Sequence, residues 1–233
     1  MFFPPGFSPS SAAPSLYLFD GQNAYGDEGS FAGGLRIHEA VSRPAFRKRS
    51  LAPVVIAISH GGHARIDELS PFPARGRGGK LDVLLSWMTS TLIPLSQQSF
   101  GLSCEPSHTL VGGSSMGGLA ALYAHLAAPA SFGGALCLSP SLFFGRDALF
   151  EWIGRQPLPW ATRIYLDCGT REAGGGMVHA VRAMAALLRA RGFGDRVLVR
   201  EDPRGHHRES SWRRRLPPAL EWALPAPPSP RRR

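Results

Sequence analysis

An α/β fold, with a doubly wound and mostly parallel sheet covered by helices on both faces, is the fold class that the sequence predicts. Short runs of consecutive apolar residues alternate along the chain with longer stretches of helical periodicity. Runs that are apolar at successive positions are typical of parallel strands buried on both faces. Because strands that alternate with helices are joined by right-handed crossovers, the pattern favours one open sheet.

Six strands are predicted from the apolar runs. They are residues 15–19, 54–59, 109–111, 135–139, 163–168 and 196–200. The first run, SLYLF, is followed by Asp20-Gly21, and the second, VVIAIS, by His60-Gly61-Gly62. Both strands are therefore predicted to lead into glycine-containing turns.

Five helices are predicted, at residues 81–95, 116–128, 147–153, 177–191 and 211–224. In the first of them, apolar residues recur at spacings of three and four, as on one face of a helix. Pro129 ends the second helix and Gly192 the fourth. Residues 70–79 contain two prolines and three glycines, and we expect them to form a flexible loop.

The length of 233 residues suits one domain, which we expect to span residues 1–224. Within it, residues 141–160 are rich in Phe and Trp and are predicted to form a short, lid-like insertion. Residues 225–233 contain only Pro, Arg, Ala and Ser, which predicts a disordered tail.

Composition narrows the class of protein. Hydrophobic residues make up 43% of the chain, but no apolar run approaches the roughly 18 residues of a membrane span. The first residues lack the basic region of a secretory signal. The three cysteines, Cys104, Cys137 and Cys168, lack metal-ligand spacing and lie in apolar contexts. They predict buried thiols in a reducing compartment, and so a cytoplasmic enzyme.

The formal net charge of +9 is concentrated at the end of the chain. Residues 204–233 contain eight arginines and two glutamates, a net charge of +6, so that +3 remains for the rest. No helix-turn-helix pattern, RNA-binding signature or interleaving of aromatic with basic residues accompanies these arginines. We therefore do not expect nucleic acid to be the partner.

A candidate serine nucleophile lies in the stretch Gly113-Ser114-Ser115-Met116-Gly117. It follows a predicted strand and opens a predicted helix, which is the context of a nucleophile elbow, G-x-S-x-G. A glycine- and serine-rich turn without chemistry is one alternative; a phosphate-binding loop is another, but no lysine follows the glycines. The spacing selects Ser115 over Ser114 as the nucleophile of an α/β-hydrolase. The N–H of Met116, at a helix N-terminus, would face a developing oxyanion.

A serine nucleophile needs a base and an acid, and in α/β-hydrolases they follow in the order Ser, acid, His. His206 and His207 lie just beyond the last predicted strand. Glu172 lies just beyond the strand that ends at Cys168. Both positions that the fold requires are therefore filled, with two histidines open for the base.

Four motifs, spread over nearly the whole chain, resemble one known family. They are Leu16-Tyr17-Leu18-Phe19-Asp20-Gly21-Gln22-Asn23, Arg65-Ile66-Asp67-Glu68-Leu69, Gly113-Ser114-Ser115-Met116-Gly117-Gly118-Leu119, and His207-Arg208-Glu209-Ser210-Ser211-Trp212 followed by Arg215-Leu216-Pro217. The chain is similar to the putative esterase family of α/β-hydrolases, which includes esterase D (S-formylglutathione hydrolase), feruloyl esterases, siderophore trilactone esterases and the antigen 85 mycolyltransferases.

The resemblance implies roles for particular residues. The His-x-Glu-x-x-Trp motif places His207, not His206, at the catalytic position. The turn Gly169-Thr170-Arg171-Glu172 resembles that of the family's acid and favours Glu172, with Asp167 at the end of the same strand as the runner-up. The backbone N–H of Gln22 is expected to form the oxyanion hole with that of Met116, so that the identity of the Gln22 side chain matters little. Arg65 and Glu68 are expected to form an ion pair that braces a loop.

One departure from the family concerns the edge of the sheet. Its members usually have one or two antiparallel strands before a Pro-Pro-Gly turn, whereas here Phe3-Pro4-Pro5-Gly6-Phe7 begins almost at Met1. We therefore expect the N-terminal edge strands to be trimmed. The missing edge would lie far from the elbow.

The substrate is predicted only coarsely, as a small-molecule carboxylic ester, of a siderophore type or a small aryl or acyl ester. Residues that could line the pocket are His60, Phe143, Phe144, Trp152, Trp160 and Trp212, although local packing under the insertion is the alternative for the aromatic residues. Arg146, Arg171 and Arg208 could favour an anionic ester. No cofactor and no metal site are expected. An acyltransferase with the same triad and a catalytically silent binding protein remain alternatives.

Overall fold

The structure is a computed structural model that describes residues 1–9, 12–28, 30, 33–49, 52–157 and 162–224. Its centre is a six-stranded sheet in the order β2-β1-β5-β6-β7-β8, and every neighbouring pair is parallel. The strands are β1 (Ser15–Phe19), β2 (Val54–Ile58), β5 (Thr109–Ser114), β6 (Gly134–Leu138), β7 (Arg163–Gly169) and β8 (Val197–Asp202). This confirms the predicted α/β fold.

The helices lie on both faces of this sheet. They are α1 (Ile37–Val41), α2 (Pro44–Arg49), α3 (Arg65–Leu69), α4 (Leu81–Trp87), α5 (Ile93–Phe100), α6 (Met116–Ala127), α7 (Arg146–Arg155), α8 (Gly176–Leu188) and α9 (Glu209–Ala223). A π-helical segment, Met88–Leu92, joins α4 to α5, so the helix predicted at residues 81–95 extends to Phe100.

Alternation of side chains along β1 shows how the two faces are built. Tyr17 and Phe19 point into one buried cluster, which includes residues of α4, α6 and α8. Leu16 and Leu18 point into the other cluster, which includes residues of α1 and α9. Each strand therefore contributes to two cores, which is why its apolar residues are consecutive rather than alternating.

Three features differ from the sequence-based expectations. The helices α1, α2 and α3 were not predicted, because five or six residues are too few to show a helical period. Part of the loop expected at residues 70–79 forms a hairpin of β3 (Pro73–Ala74) and β4 (Arg77–Gly78). Cys104 is exposed, whereas Cys137 and Cys168 are buried as expected. The tail predicted at residues 225–233 lies outside the described residues.

The outer edge of β2 carries a single antiparallel bridge from the start of the chain. Phe2 and Val55 exchange two backbone hydrogen bonds, of 2.9 and 3.0 Å, and no further pairing is found on this edge among the described residues. The bridge is consistent with the expected trimmed edge. Among the described helices, none has the length and apolar character that a membrane span requires.

A buried histidine on α6 leads to a stability prediction. His125 is completely buried, and burial lowers its pKa to about 4. In the unfolded chain, His125 takes up a proton near pH 6.5, whereas in the folded chain it stays neutral down to about pH 4. Stabilisation by neutral His125 is therefore complete above about pH 6.5 and is lost as the pH falls towards 4.

Replacing His125 with leucine is expected to flatten this dependence. Between pH 7 and pH 5, we expect the free energy of unfolding to fall by about 2 kcal/mol less in His125→Leu than in the wild type. Urea unfolding at the two pH values measures the difference, and His63→Leu, at an exposed position, is the matched control. Equal losses in the wild type and His125→Leu would contradict this explanation.

Candidate active site

Ser115 lies in the sharp turn between β5 and α6. Its backbone has φ 56° and ψ −119°, a conformation that non-glycine residues adopt only under constraint. A side-chain carbon at Gly113 would come within 2.5 Å of the Gly117 backbone, and one at Gly117 within 2.9 Å of Oδ2 of Asp20. The two glycines of the elbow are therefore required by close packing around the turn.

His207 connects Ser115 to a buried carboxylate. Its Nε2 lies 2.9 Å from Oγ of Ser115, and its Nδ1 lies 2.9 Å from Oε2 of Glu172. His207 is in the loop between β8 and α9, and 37% of its side chain is exposed, whereas the Glu172 side chain is fully buried. The neighbouring residue, His206, donates its backbone N–H to Oγ of Ser211. Of the two histidines, the structure therefore brings His207 to Ser115.

Glu172 is held by several donors. Its Oε1 accepts hydrogen bonds from the Gly169 N–H, at 2.7 Å, and from Oγ of Ser139, at 2.8 Å, while Oε2 faces His207. Burial raises the pKa of this carboxyl, but the hydrogen bonds from His207, Ser139 and Gly169 outweigh it, so the pKa lies below its usual value. Glu172 is thus ionised and fixed beside His207.

Asp167 is also fully buried and shares Ser139 and Arg215 with Glu172. It accepts the Ser139 N–H at 3.0 Å, lies 3.0 Å from Nε of Arg215 and accepts the Tyr165 hydroxyl at 3.3 Å. Burial raises its pKa to about 7, against the lowering effects of Arg215 and the Ser139 N–H. No contact joins Asp167 to His207 among the described residues. The geometry favours Glu172 as the partner of His207.

Ser139 and Arg215 support the Glu172 carboxylate, and neither was predicted as a site residue. Ser139 directly follows β6, the neighbour of β7, and its backbone has a φ of 43°. Its Oγ accepts hydrogen bonds from Nη2 of Arg215, at 2.7 Å, and from Nε1 of Trp212, at 2.9 Å. The spacing of Trp212 and Arg215 after His207 is the sequence signal for this network, which links α9 to Glu172.

Gln22 is clamped to the loop after β2 by its side chain. Its amide Nε2 donates to the His60 carbonyl at 2.8 Å, and its Oε1 accepts the His60 N–H at 3.2 Å. The Gln22 side chain, whose identity was expected to matter little for the oxyanion hole, thus joins the turn after β1 to the loop after β2. The N–H groups of Gln22 and Met116 donate no hydrogen bond within the part of the chain that the structure describes.

The ion pair expected between Arg65 and Glu68 is not formed. Arg65 instead binds Asp20 with two hydrogen bonds, of 2.6 Å from Nε and 2.8 Å from Nη2. This hydrogen bonding raises the pKa of the Arg65 guanidinium. Glu68 accepts the Gly61 N–H at 2.8 Å. Arg65 therefore braces the turn after β1 rather than its own helix.

A cavity of about 690 Å³ opens beside Ser115. It is lined by Gln22, Asn23, Ser30, His60, Arg65, Ser114, Ser115, His207, Glu209 and Trp212. His60 and Trp212 are thus at the pocket, as predicted. The Trp212 ring meets His207 edge to face, with centroids 5.0 Å apart.

The aromatic residues of the insertion that the structure describes do not line this cavity. Phe143 is exposed, Phe144 packs against the main core, and Trp152 packs on Tyr123 with ring centroids 4.6 Å apart. The predicted aromatic wall is therefore corrected to local packing for Phe144 and Trp152; Trp160 lies outside the described residues. No group of three or more His, Cys, Asp or Glu side chains that could hold a metal ion is found among the described residues.

Known proteins resemble the chain over nearly its whole length. The family described as "Putative esterase" matches residues 1–223. Uncharacterized protein YbbA of Bacillus subtilis (strain 168) is 26% identical over 238 residues, which cover 95% of this chain and 90% of that protein. The BES protein of Bacillus cereus has a similar crystal structure, with a TM-score of 0.75 and 18% identity over 96% of this chain and 87% of that one.

A third similarity connects the fold to a named activity. The enterobactin esterase FES of Shigella flexneri, crystallised in the presence of enterobactin, matches 90% of this chain and 50% of its own, with 25% identity and a TM-score of 0.72. The family match covers the elbow and the other three motifs together. The chain thus belongs to the putative esterase family of α/β-hydrolases and is a carboxylic ester hydrolase.

Proposed function

We propose that the chain hydrolyses its ester through a Ser115-His207-Glu172 triad and a covalent acyl-enzyme. The observation that carries the proposal is the pair of 2.9 Å contacts at the two ring nitrogens of His207. A hydroxyl on one nitrogen and a carboxylate on the other is the arrangement that a general base for a serine nucleophile requires. The buried Glu172 fixes the ring with Nδ1 protonated and leaves Nε2 free to accept a proton.

In the first step, His207 takes the hydroxyl proton as Oγ of Ser115 attacks the ester carbonyl. The imidazolium so formed is stabilised by Glu172, and it then gives its proton to the departing alcohol. The oxyanion is stabilised by the N–H groups of Met116 and Gln22, which donate no other hydrogen bond within the described residues. In the second step, His207 takes a proton from the water that attacks the acyl-enzyme. It returns this proton to Oγ of Ser115 as the bond between Oγ and the acyl carbon breaks and the carboxylic acid leaves.

The substrate that we propose is a siderophore-type or small aryl or acyl ester. The 25% identity to an enterobactin esterase supports the first of these. The cavity of about 690 Å³ is within the range of small-molecule sites, which supports the second. Neither case requires a cofactor, since the triad supplies the nucleophile, the base and the acid.

Product partitioning tests the acyl-enzyme. p-Nitrophenyl butanoate and phenyl butanoate are each hydrolysed in water with added methanol, and the ratio of methyl butanoate to butanoate is measured. Because both esters would form the same butanoyl-Ser115, we expect the same ratio from each. A ratio that depends on the leaving group would contradict a common intermediate.

The same assay separates a hydrolase from an acyltransferase. With a sugar in place of methanol, we expect butanoate as the main product, because the 37% exposure of the His207 side chain gives water access to the acyl-enzyme. A sugar ester as the main product at millimolar acceptor would show instead that this triad serves transfer.

A further inference from the structure

Glu209 is a buried carboxylate on the wall of the Ser115 cavity that the proposed triad does not use. It is the first residue of α9, two residues after His207, and only 6% of it is exposed. Its buried Oε2 has no hydrogen-bond partner among the described residues, and its Oε1 receives one long hydrogen bond, of 3.4 Å, from Nδ2 of Asn23. A carboxylate removed from water normally has several donors or a cation.

The charges around the cavity compensate Glu209 only in part. Among the lining residues that the structure describes, Arg65 is the other one with a permanent charge, and it makes two short hydrogen bonds to Asp20. No cation within 4.0 Å of Glu209 is found among the described side chains. The cavity is not lined by the arginines that were expected to favour an anionic ester, Arg146, Arg171 and Arg208. Arg65 attracts Glu209 only from beyond ion-pair distance, and it is shared with Asp20, so this side of the site keeps a net negative charge.

A role in the helix explains only part of this arrangement. A carboxylate in the first turn of a helix is favoured by the helix dipole, which accounts for an acidic residue at this position. It does not explain why Oε2 is buried without a donor, because a carboxylate in the first turn can stay at the surface, where water donates hydrogen bonds to it. The terminal carboxylate torsion is soft, and the single long bond from Asn23 opposes its rotation only weakly. Oε2 can therefore turn towards the cavity.

We propose that Glu209 is a substrate-binding residue that accepts a hydrogen bond from a donor on the ester, close to its scissile carbonyl. For a neutral ester that donor is a hydroxyl. The inference rests on the proposed function, because an ester whose carbonyl reaches Ser115 must place an adjoining group in the cavity that Glu209 lines. Anionic esters are disfavoured there by the charge of Glu209.

Two isosteric pairs of esters test the proposal. Methyl 3-hydroxybutanoate and methyl 3-methylbutanoate differ by a hydroxyl on the acyl side, and 2-hydroxyethyl butanoate and propyl butanoate differ by one on the alcohol side. In the wild type we expect one pair to show a preference for the hydroxyl ester of about 10- to 100-fold in kcat/KM, the range for a hydrogen bond to a charged group. In Glu209→Leu the ratio within that pair falls towards one.

Controls separate this inference from the function on which it rests. Glu221→Leu removes an exposed carboxylate from the same helix and should keep the wild-type ratio. Glu209→Gln, which keeps the size and one acceptor oxygen, should retain a reduced preference and replaces Glu209→Leu if that variant fails to fold. An unchanged ratio in Glu209→Leu, or the absence of a hydroxyl preference in the wild type, overturns the proposal. Loss of p-nitrophenyl butanoate turnover in Ser115→Ala checks the triad independently.

Discussion

Replacing Ser115 with alanine is expected to lower kcat/KM for ester hydrolysis by roughly 10⁴- to 10⁶-fold, as loss of the nucleophile does in serine hydrolases. The fold should be unaffected, because alanine and serine meet the same cost at the φ of 56°. Equal thermal midpoints for the variant and the wild type would show that chemistry, not folding, is lost. Steady-state hydrolysis of p-nitrophenyl butanoate measures the effect.

Two neighbouring serines are the controls for this prediction. Ser114 precedes the nucleophile in β5, and Oγ of Ser141 lies 3.2 Å from Oγ of Ser115. Ser114→Ala and Ser141→Ala should each retain activity within about tenfold of the wild type, equivalent to about 1.4 kcal/mol in the barrier. Turnover in Ser115→Ala close to that of the wild type would contradict the assignment. A loss of turnover confined to Ser141→Ala would identify Ser141 as the nucleophile instead.

Replacing Glu172 with glutamine is expected to lower kcat by roughly 10³- to 10⁴-fold, because a neutral amide neither stabilises the imidazolium nor enforces the required tautomer of His207. The amide also turns a donor towards one of the four groups that now donate to this carboxylate. Steady-state hydrolysis of p-nitrophenyl butanoate measures the effect.

Asp167→Asn is the matched variant for the other buried acid. Asp167 contacts Arg215, Ser139 and Tyr165 but not His207. We therefore expect Asp167→Asn to lower the free energy of unfolding by about 2–4 kcal/mol. The loss in kcat, expressed as a change in activation free energy, should be smaller. The reverse pattern, with a large kinetic effect for Asp167→Asn and a small one for Glu172→Gln, would make Asp167 the catalytic acid.

Much of the fold could be predicted because its strands are buried on both faces. Consecutive apolar residues marked all six sheet strands, and the structure confirms each of them, although β5 extends three residues past its predicted end at Val111. That extension is Gly112-Gly113-Ser114, whose small residues carry no hydrophobic signal. The hairpin at Pro73–Ala74 and Arg77–Gly78 could not be predicted, since two-residue strands are too short for any periodicity.

The site could be predicted where chain order and motifs define it. Their positions after strands select Ser115, Glu172 and the pair His206-His207, and the resemblance to the family favours His207 as the base. The structure brings Ser115, His207 and Glu172 within hydrogen-bond distance. Partners that depend on neighbouring strands could not be predicted. Asp20 follows β1 and Arg65 follows β2, and these strands are adjacent only in the folded sheet. The sequence instead favoured Glu68, three residues from Arg65 along the same helix.

The part of the substrate pocket outside the motifs was the least predictable. An aromatic-rich insertion suggested an acyl wall, but Trp152 packs on Tyr123 instead. Side chains from the turn after β1, the loop after β2 and the start of α9 line the cavity, and residues 141–157 do not. A single domain over residues 1–224 and a cytoplasmic location stay predictions.

Covalent labelling with a fluorophosphonate, followed by peptide mass spectrometry, tests the Ser115 nucleophile without requiring the natural substrate. We predict one adduct per chain, on Ser115, and a large fall in labelling rate in His207→Ala, because the hydroxyl then lacks its base. Ser114→Ala should label like the wild type. Folded protein that gives no adduct, or an adduct on a serine other than Ser115, would contradict the triad.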